Sequence, residues 1–154
     1  MEYVVVKWLH VLSSTVLFGT GIGSAYYMFF ASRTGDARTV ANVVKLVVIA
    51  DWVFTTSTIV IQPVTGLWLA HLAQFPLTSA WILWSIVLYF VAGACWLPVV
   101  AIQIRMRKLA ETAAAANQGL PAEYLRLWRW WTALGVPAFV SLVIVFYLMV
   151  AKPM

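Results

Sequence analysis

Two histidines, His10 and His71, and one methionine, Met149, are the side chains of this sequence best suited to a transition metal. Each sits inside, or at the end of, an apolar stretch. Neutral imidazole is a good ligand for haem iron, and a thioether can stand opposite it. His10 lies about two turns into the first stretch, roughly 10 Å along a helix. His71 closes the second stretch, and Met149 is near the end of the fourth, so all three belong to one half of the bilayer. The depths leave two axial pairings open. His10/His71 needs a shifted helix or a macrocycle on edge, because His10 is a turn or two deeper, whereas His10/Met149 matches in depth. Copper also accepts His and Met, but no Met-x-x-Met or His-x-His cluster is present. Zinc would need three or four ligands. Without a Cys-x-x-Cys-His attachment motif, any haem here is non-covalent. There is also no Gly-rich phosphate loop, nucleophile elbow or His-Glu-x-x-His.

Three other ionisable residues lie within or close to apolar stretches: Lys7, Asp51 and Lys152. Charge at membrane depth is costly and marks a site or a water-filled cavity by default. They are the catalytic candidates. Lys7 is three residues before His10, on the same helical face, and Lys152 reaches the same layer from the fourth stretch. Both are near enough to the interface to snorkel, which makes interfacial anchoring the competing reading. Asp51 lies towards the opposite surface, beside Trp52 and ahead of Thr55, Thr56 and Thr58. It reads either as a helix N-terminal carboxylate favoured by the macrodipole or as a proton-transfer group. Lys45 is six residues away and makes no i,i+4 pair with it. Gln62 and Pro63 predict a kink that frees backbone carbonyls. The Gln62 amide needs a polar partner, which Ser13 or Ser14 supplies if their depths match.

Gly19 and Gly23 stack on one face of the first helix, where another backbone, a second copy of the chain or a flat ligand can come close. Most of the nine Trp read as aromatic belts at the two interfaces. Trp8 and Trp68, next to the two histidines, could also wall a tetrapyrrole pocket.

The elements that must carry these residues are four apolar stretches, beginning near Tyr3, Leu46, Trp81 and Trp131. A hydrocarbon core about 30 Å thick takes about 20 residues of helix. A soluble domain of this length cannot hide 64% apolar residues with only 10% charged. The expected fold is all-α: one antiparallel four-helix transmembrane bundle, with helices over about 3–31, 43–71, 80–107 and 124–151. The first stretch opens with Glu2 and is too long for a signal peptide, so it reads as a retained helix. Cys95 is the single cysteine, lies in the third span and reads as a packing residue. Thr34-Gly35-Asp36, Phe75-Pro76 and Asn117-Gln118-Gly119 break the chain between helices. After the last of these, Tyr124–Trp131 is expected to run along the surface before the chain enters the membrane.

The net charge of +5 is distributed for topology. Arg33, Arg38 and Lys45 lie in or beside the first connection, and Arg105, Arg107, Lys108, Arg126 and Arg129 in or beside the third. Only Lys7 and Lys152 lie on the other side. Eight against two predicts cytoplasmic long connections and both termini outside. The basic face touches anionic headgroups of the lipid bilayer, and no nucleic-acid role is expected.

Lys7-Trp8-Leu9-His10 resembles the Lys-x-Leu-His opening of the four-helix bacterial protoporphyrinogen IX oxidases. Gly66-Leu67-Trp68-Leu69, the basic exit of the third helix, Pro137 and the terminal Val150-Ala151-Lys152-Pro153 are similar to that family as well. The likeness extends to copper-resistance D-type membrane domains, and the chain looks most like a sister family of predicted integral membrane proteins. It implies a bundle in a bacterial-type inner (plasma) membrane with haem b on the first-helix histidine. Two departures stand out: Ala31-Ser32-Arg33 replace that family's second first-helix His, and apolar residues with Thr132 replace its Asn-Glu before the fourth-helix Pro. Two functions follow. One is a haem b redox protein that exchanges electrons with a membrane donor or acceptor, or oxidises a tetrapyrrole, near the outer face. The other is a non-catalytic scaffold or transporter subunit that packs as a homo-oligomer through Gly19/Gly23.

Overall fold

A computed structural model describes residues 1–153. It is all-helical among the described residues, with four helices long and apolar enough to cross a membrane: α1 (Glu2–Thr34), α2 (Ala37–Leu72), α3 (Ala80–Ala115) and α4 (Ala122–Ala151). They form a four-helix membrane bundle in which sequence neighbours pack against one another and α1 barely meets α4. Both termini lie at one end, hereafter the terminal end. The two basic connections lie at the other, the basic end.

Several helices are longer than hydropathy predicts because capping, rather than the apolar boundary, ends them. α1 continues to Thr34, where Gly35 takes the left-handed conformation (φ 71°) that closes a helix. α2 starts at Ala37, not near residue 43, because Asp36 caps it: its carboxylate accepts from the Thr39 backbone N–H at 2.9 Å. Thr39, through its hydroxyl and its N–H, holds the Asp36 carboxyl below the usual carboxylate range. That stabilisation is present above the unfolded-state pKa and is lost as pH falls through the folded-state value.

The early start of α2 corrects the helix-start reading of Asp51. The residue lies well inside a helix, at the head of a π-helical turn, Asp51–Thr55, in which the Thr56 N–H reaches back to the Asp51 carbonyl. Such turns shift the register of a helix and are frequent at functional sites. The surface-segment reading of Tyr124–Trp131 is corrected too. These residues form the first turns of α4, and Tyr124 is fully buried, sharing a 2.7 Å hydrogen bond with Ser32 of α1.

The main core lies at the basic end, where Met28, Val40, Val44, Met106 and Tyr124 are almost wholly buried. Arg105 pairs with Glu123 across α3 and α4 (2.8 Å), and Arg38 donates to Asn117 between the two connections. A smaller cluster, Ala70, Trp81 and Ile82, closes the terminal end. Between them the carbonyl that Pro63 frees has a specific partner. Pro63 has no N–H for the Ile59 carbonyl four residues back, and Tyr89 of α3 donates its hydroxyl to that carbonyl at 2.6 Å. Large apolar side chains such as Val4, Val60, Phe90 and Leu97 face outward, as lipid requires.

Candidate functional site

The first candidate site is a polar joint between α1 and α2 built around His10. Its Nδ1 lies 2.8 Å from Thr65 Oγ1. The Thr65 hydroxyl donates to the Ile61 carbonyl at 2.7 Å. Because a hydroxyl has one proton, Thr65 accepts from His10 when that proton is given to Ile61. In that arrangement the proton sits on Nδ1 and the Nε2 lone pair is free, whereas a Thr65 proton turned to His10 gives the opposite tautomer. One turn deeper, Gln62 donates from Nε2 to the His10 carbonyl (2.8 Å) and to Ser13 Oγ. Of the two serines considered for Gln62, Ser13 has the matching depth, while Ser14 is half-buried and turns back to Val11. Gly66 makes the approach possible: a Cβ there would stand 3.2 Å from His10 Cε1.

The other candidates of that half occupy separate surroundings. His71 is exposed and lines a depression of about 300 Å³ with Leu67, Gln74, Phe75 and Pro76. It lies five residues beyond Gly66, about 7.5 Å farther towards the terminal end at 1.5 Å per residue. Met149 packs against the Ala70, Trp81 and Ile82 cluster. Trp8 is exposed, and Trp68 donates its indole N–H to Glu2 at 3.1 Å. Lys7 Nζ stands 5.8 Å from the Tyr3 ring, and Lys152 Nζ 4.8 Å from the ring of Phe75 and 5.7 Å from that of Trp81. Cation–π placement of this kind suits interfacial anchors. No described atom would lie within 4 Å of a Cβ at Gly19 or Gly23. The glycine face is thus unpacked within the chain.

The second site is a cavity of about 540 Å³ among all four helices, running from mid-bundle towards the basic end. Aromatic side chains, Phe18, Phe29, Trp96, Trp131 and Phe139 among them, supply much of its wall. Its polar corner is Asp51, whose carboxylate accepts from Thr55 Oγ1 at 2.9 Å and adjoins the Gln103 amide. All three are buried. The wall has no His, Met or Cys, and no group of three or more His, Cys, Asp or Glu that could hold a metal occurs among the described residues.

Thr65, Gly66, Gln103 and Tyr89 had no assigned role from sequence, and Trp131 was read only as part of a belt. Thr65 and Gly66 could have been found as the i+3 and i+4 neighbours of Gln62 on one helical face. Gln103, an amide within an otherwise apolar helix, was also a visible signal.

No curated protein and no solved structure matches the chain. A family model described as "Predicted integral membrane protein (DUF2269)" matches residues 4–153, and the chain belongs to that family of integral membrane proteins.

Proposed function

We propose that the protein binds haem b through His10 and works as a redox component of a bacterial-type inner membrane. The observation that carries this reading is the Thr65–His10 hydrogen bond, which holds the imidazole through Nδ1 at membrane depth and, with Nδ1 as donor, offers the Nε2 lone pair to a metal. Metal-binding histidines commonly donate their other ring N–H to a fixed acceptor, which sets tautomer and ring orientation. Gly66 and Gln62 hold the ring and its backbone in place. Haem bound there would supply a one-electron couple. His71 and Met149 both lie towards the terminal end from His10, which favours His10 as the sole protein ligand over either pairing. The short motifs shared with the four-helix protoporphyrinogen IX oxidases support the cofactor, and a tetrapyrrole or a membrane electron carrier is the partner in this reading. Thr65→Val removes the Nδ1 acceptor and is expected to weaken haem binding about tenfold to a hundredfold, with the protein still inserted. Unchanged haem affinity in Thr65→Val would remove the tautomer from the account.

The charge distribution supports both termini outside, with His10 in the outer half of the bilayer. A reporter fused after Met154 should be active only outside the cytoplasm, and one inserted at Gln118 only inside. The reverse pattern would place His10 in the inner half.

A second reading, a non-catalytic scaffold, is favoured by one observation: Gly19 and Gly23 are unpacked within the chain. A small-residue face of this kind accepts a second helix. In that reading the His10 network serves only to lock α1 to α2, and the protein forms a homo-oligomer without bound haem.

A further inference from the structure

The wall of the large cavity carries one acidic group and no basic one. Asp51 lines it, whereas no Lys, Arg or His does. The ion pairs among the described residues are Arg105–Glu123 and Arg107–Glu111, so no protein cation answers Asp51. Its carboxylate accepts from Thr55 and adjoins Gln103, yet a carboxylate has room for about four donors. A buried charge without a counter-charge is costly, and a bound cation removes that cost.

The hydroxyl donors of the wall are largely committed already. Ser24 donates to the Gly21 carbonyl, Thr132 to the Trp128 carbonyl and Tyr89 to the Ile59 carbonyl. Thr55 serves Asp51 itself. The Trp131 nitrogen is inaccessible, so that indole shows carbon to the cavity. Little remains to hold an anion or a ligand rich in acceptors, and a fatty acid would set a second carboxyl beside the first. Neutral acyl chains fit the apolar wall but leave the carboxylate unanswered. Aromatic rings, by contrast, attract cations, and Phe18, Phe29, Trp96 and Phe139 stand in this wall. Ile22, Tyr26 and Val136 line the cavity and are also exposed, so it reaches the lipid-facing surface. A ligand that enters there must dissolve in the bilayer.

We infer that this cavity binds a lipophilic organic monocation, with Asp51 as its counter-charge and the aromatic wall around its apolar groups. The cavity volume of about 540 Å³ lies within the usual range for small-molecule pockets.

The test uses the full chain in detergent, with tetraphenylphosphonium as the probe and equilibrium dialysis against protein-free micelles. One saturable site per chain is expected. Tetraphenylborate, an anion of the same shape, is measured separately and should show no saturable binding. Asp51→Asn keeps the shape of the side chain and should weaken binding about a hundredfold, within the loss expected when one member of a buried charge pair is neutralised. Glu111→Gln neutralises a carboxylate outside the cavity and should bind as the wild type does. If Asp51→Asn fails to insert, Gly93→Leu decides. A Cβ at Gly93 meets no described atom within 4 Å, so the larger side chain has room to occupy the cavity and should abolish saturable binding. Purely linear uptake by the wild type overturns the inference, and so does saturable tetraphenylborate binding of equal strength. Wild-type affinity in Asp51→Asn or in Gly93→Leu overturns it as well. Haem enters none of these readouts, so this site and the His10 reading stand or fall separately.

Discussion

Asp51→Leu is expected to destabilise the protein by about 1–3 kcal/mol, the cost of leaving a buried polar group without its partner. The group left behind is the Gln103 amide, 4% exposed in the same polar corner. Thr55 loses less, because its hydroxyl can turn to a helix carbonyl. The double variant Asp51→Leu/Gln103→Leu should recover most of the loss, since replacing both partners by apolar groups of similar shape is close to neutral. Asp51→Asn should leave stability nearly unchanged, as its amide oxygen still accepts from Thr55. Unfolding in detergent, followed by tryptophan fluorescence, reads all four proteins. If Asp51→Asn falls as far as Asp51→Leu, the carboxylate is held by a charge partner that this geometry does not provide.

Gly66→Val should be as damaging, for a steric reason. A Cβ alone would stand 3.2 Å from His10 Cε1, and the two added methyl groups have no room beside the ring. Overpacking of this kind costs about 1–3 kcal/mol, and pushing α1 away also strains the Gln62 bond to the His10 carbonyl. Gly66→Ala should cost less, because the ring can yield by a few tenths of an ångström. His10→Ala should restore the stability of Gly66→Val by removing the group it strikes. A thermal midpoint in Gly66→Val equal to that of the wild type would show that α1 and α2 do not pack through this joint.

The four spans, the antiparallel bundle and the breaks at Gly35 and Asn117 were legible because hydropathy and capping chemistry are local. Asp51 was misplaced at a helix start because the apolar run begins near Leu46, whereas the helix begins at the Asp36 cap ten residues earlier. His10 was singled out by the cost of an imidazole in lipid, but its partners Thr65 and Gly66 were not. They lie 55 and 56 residues away, and composition says nothing about how two helices are rotated against each other. The large cavity was invisible for a related reason. Its volume is a property of four packed helices, and the small residues Gly21, Ala25, Gly135 and Ala138 contribute to its wall from α1 and α4. Each of those residues, taken alone, is an ordinary membrane-helix residue. Trp131 passed for an interfacial anchor because the sequence does not show whether an indole N–H finds a partner.

The central claim is that the His10 imidazole binds haem b, and one spectrum tests it. The protein is expressed with a haem precursor supplied, purified in detergent and recorded before and after dithionite. The account predicts a Soret band in the wild type that shifts on reduction, and its complete loss in His10→Ala, with that variant still in the membrane fraction at wild-type yield. His71→Ala and Met149→Leu should keep the wild-type spectrum. A wild type that stays colourless, or a His10→Ala variant that keeps the wild-type band, would contradict the account.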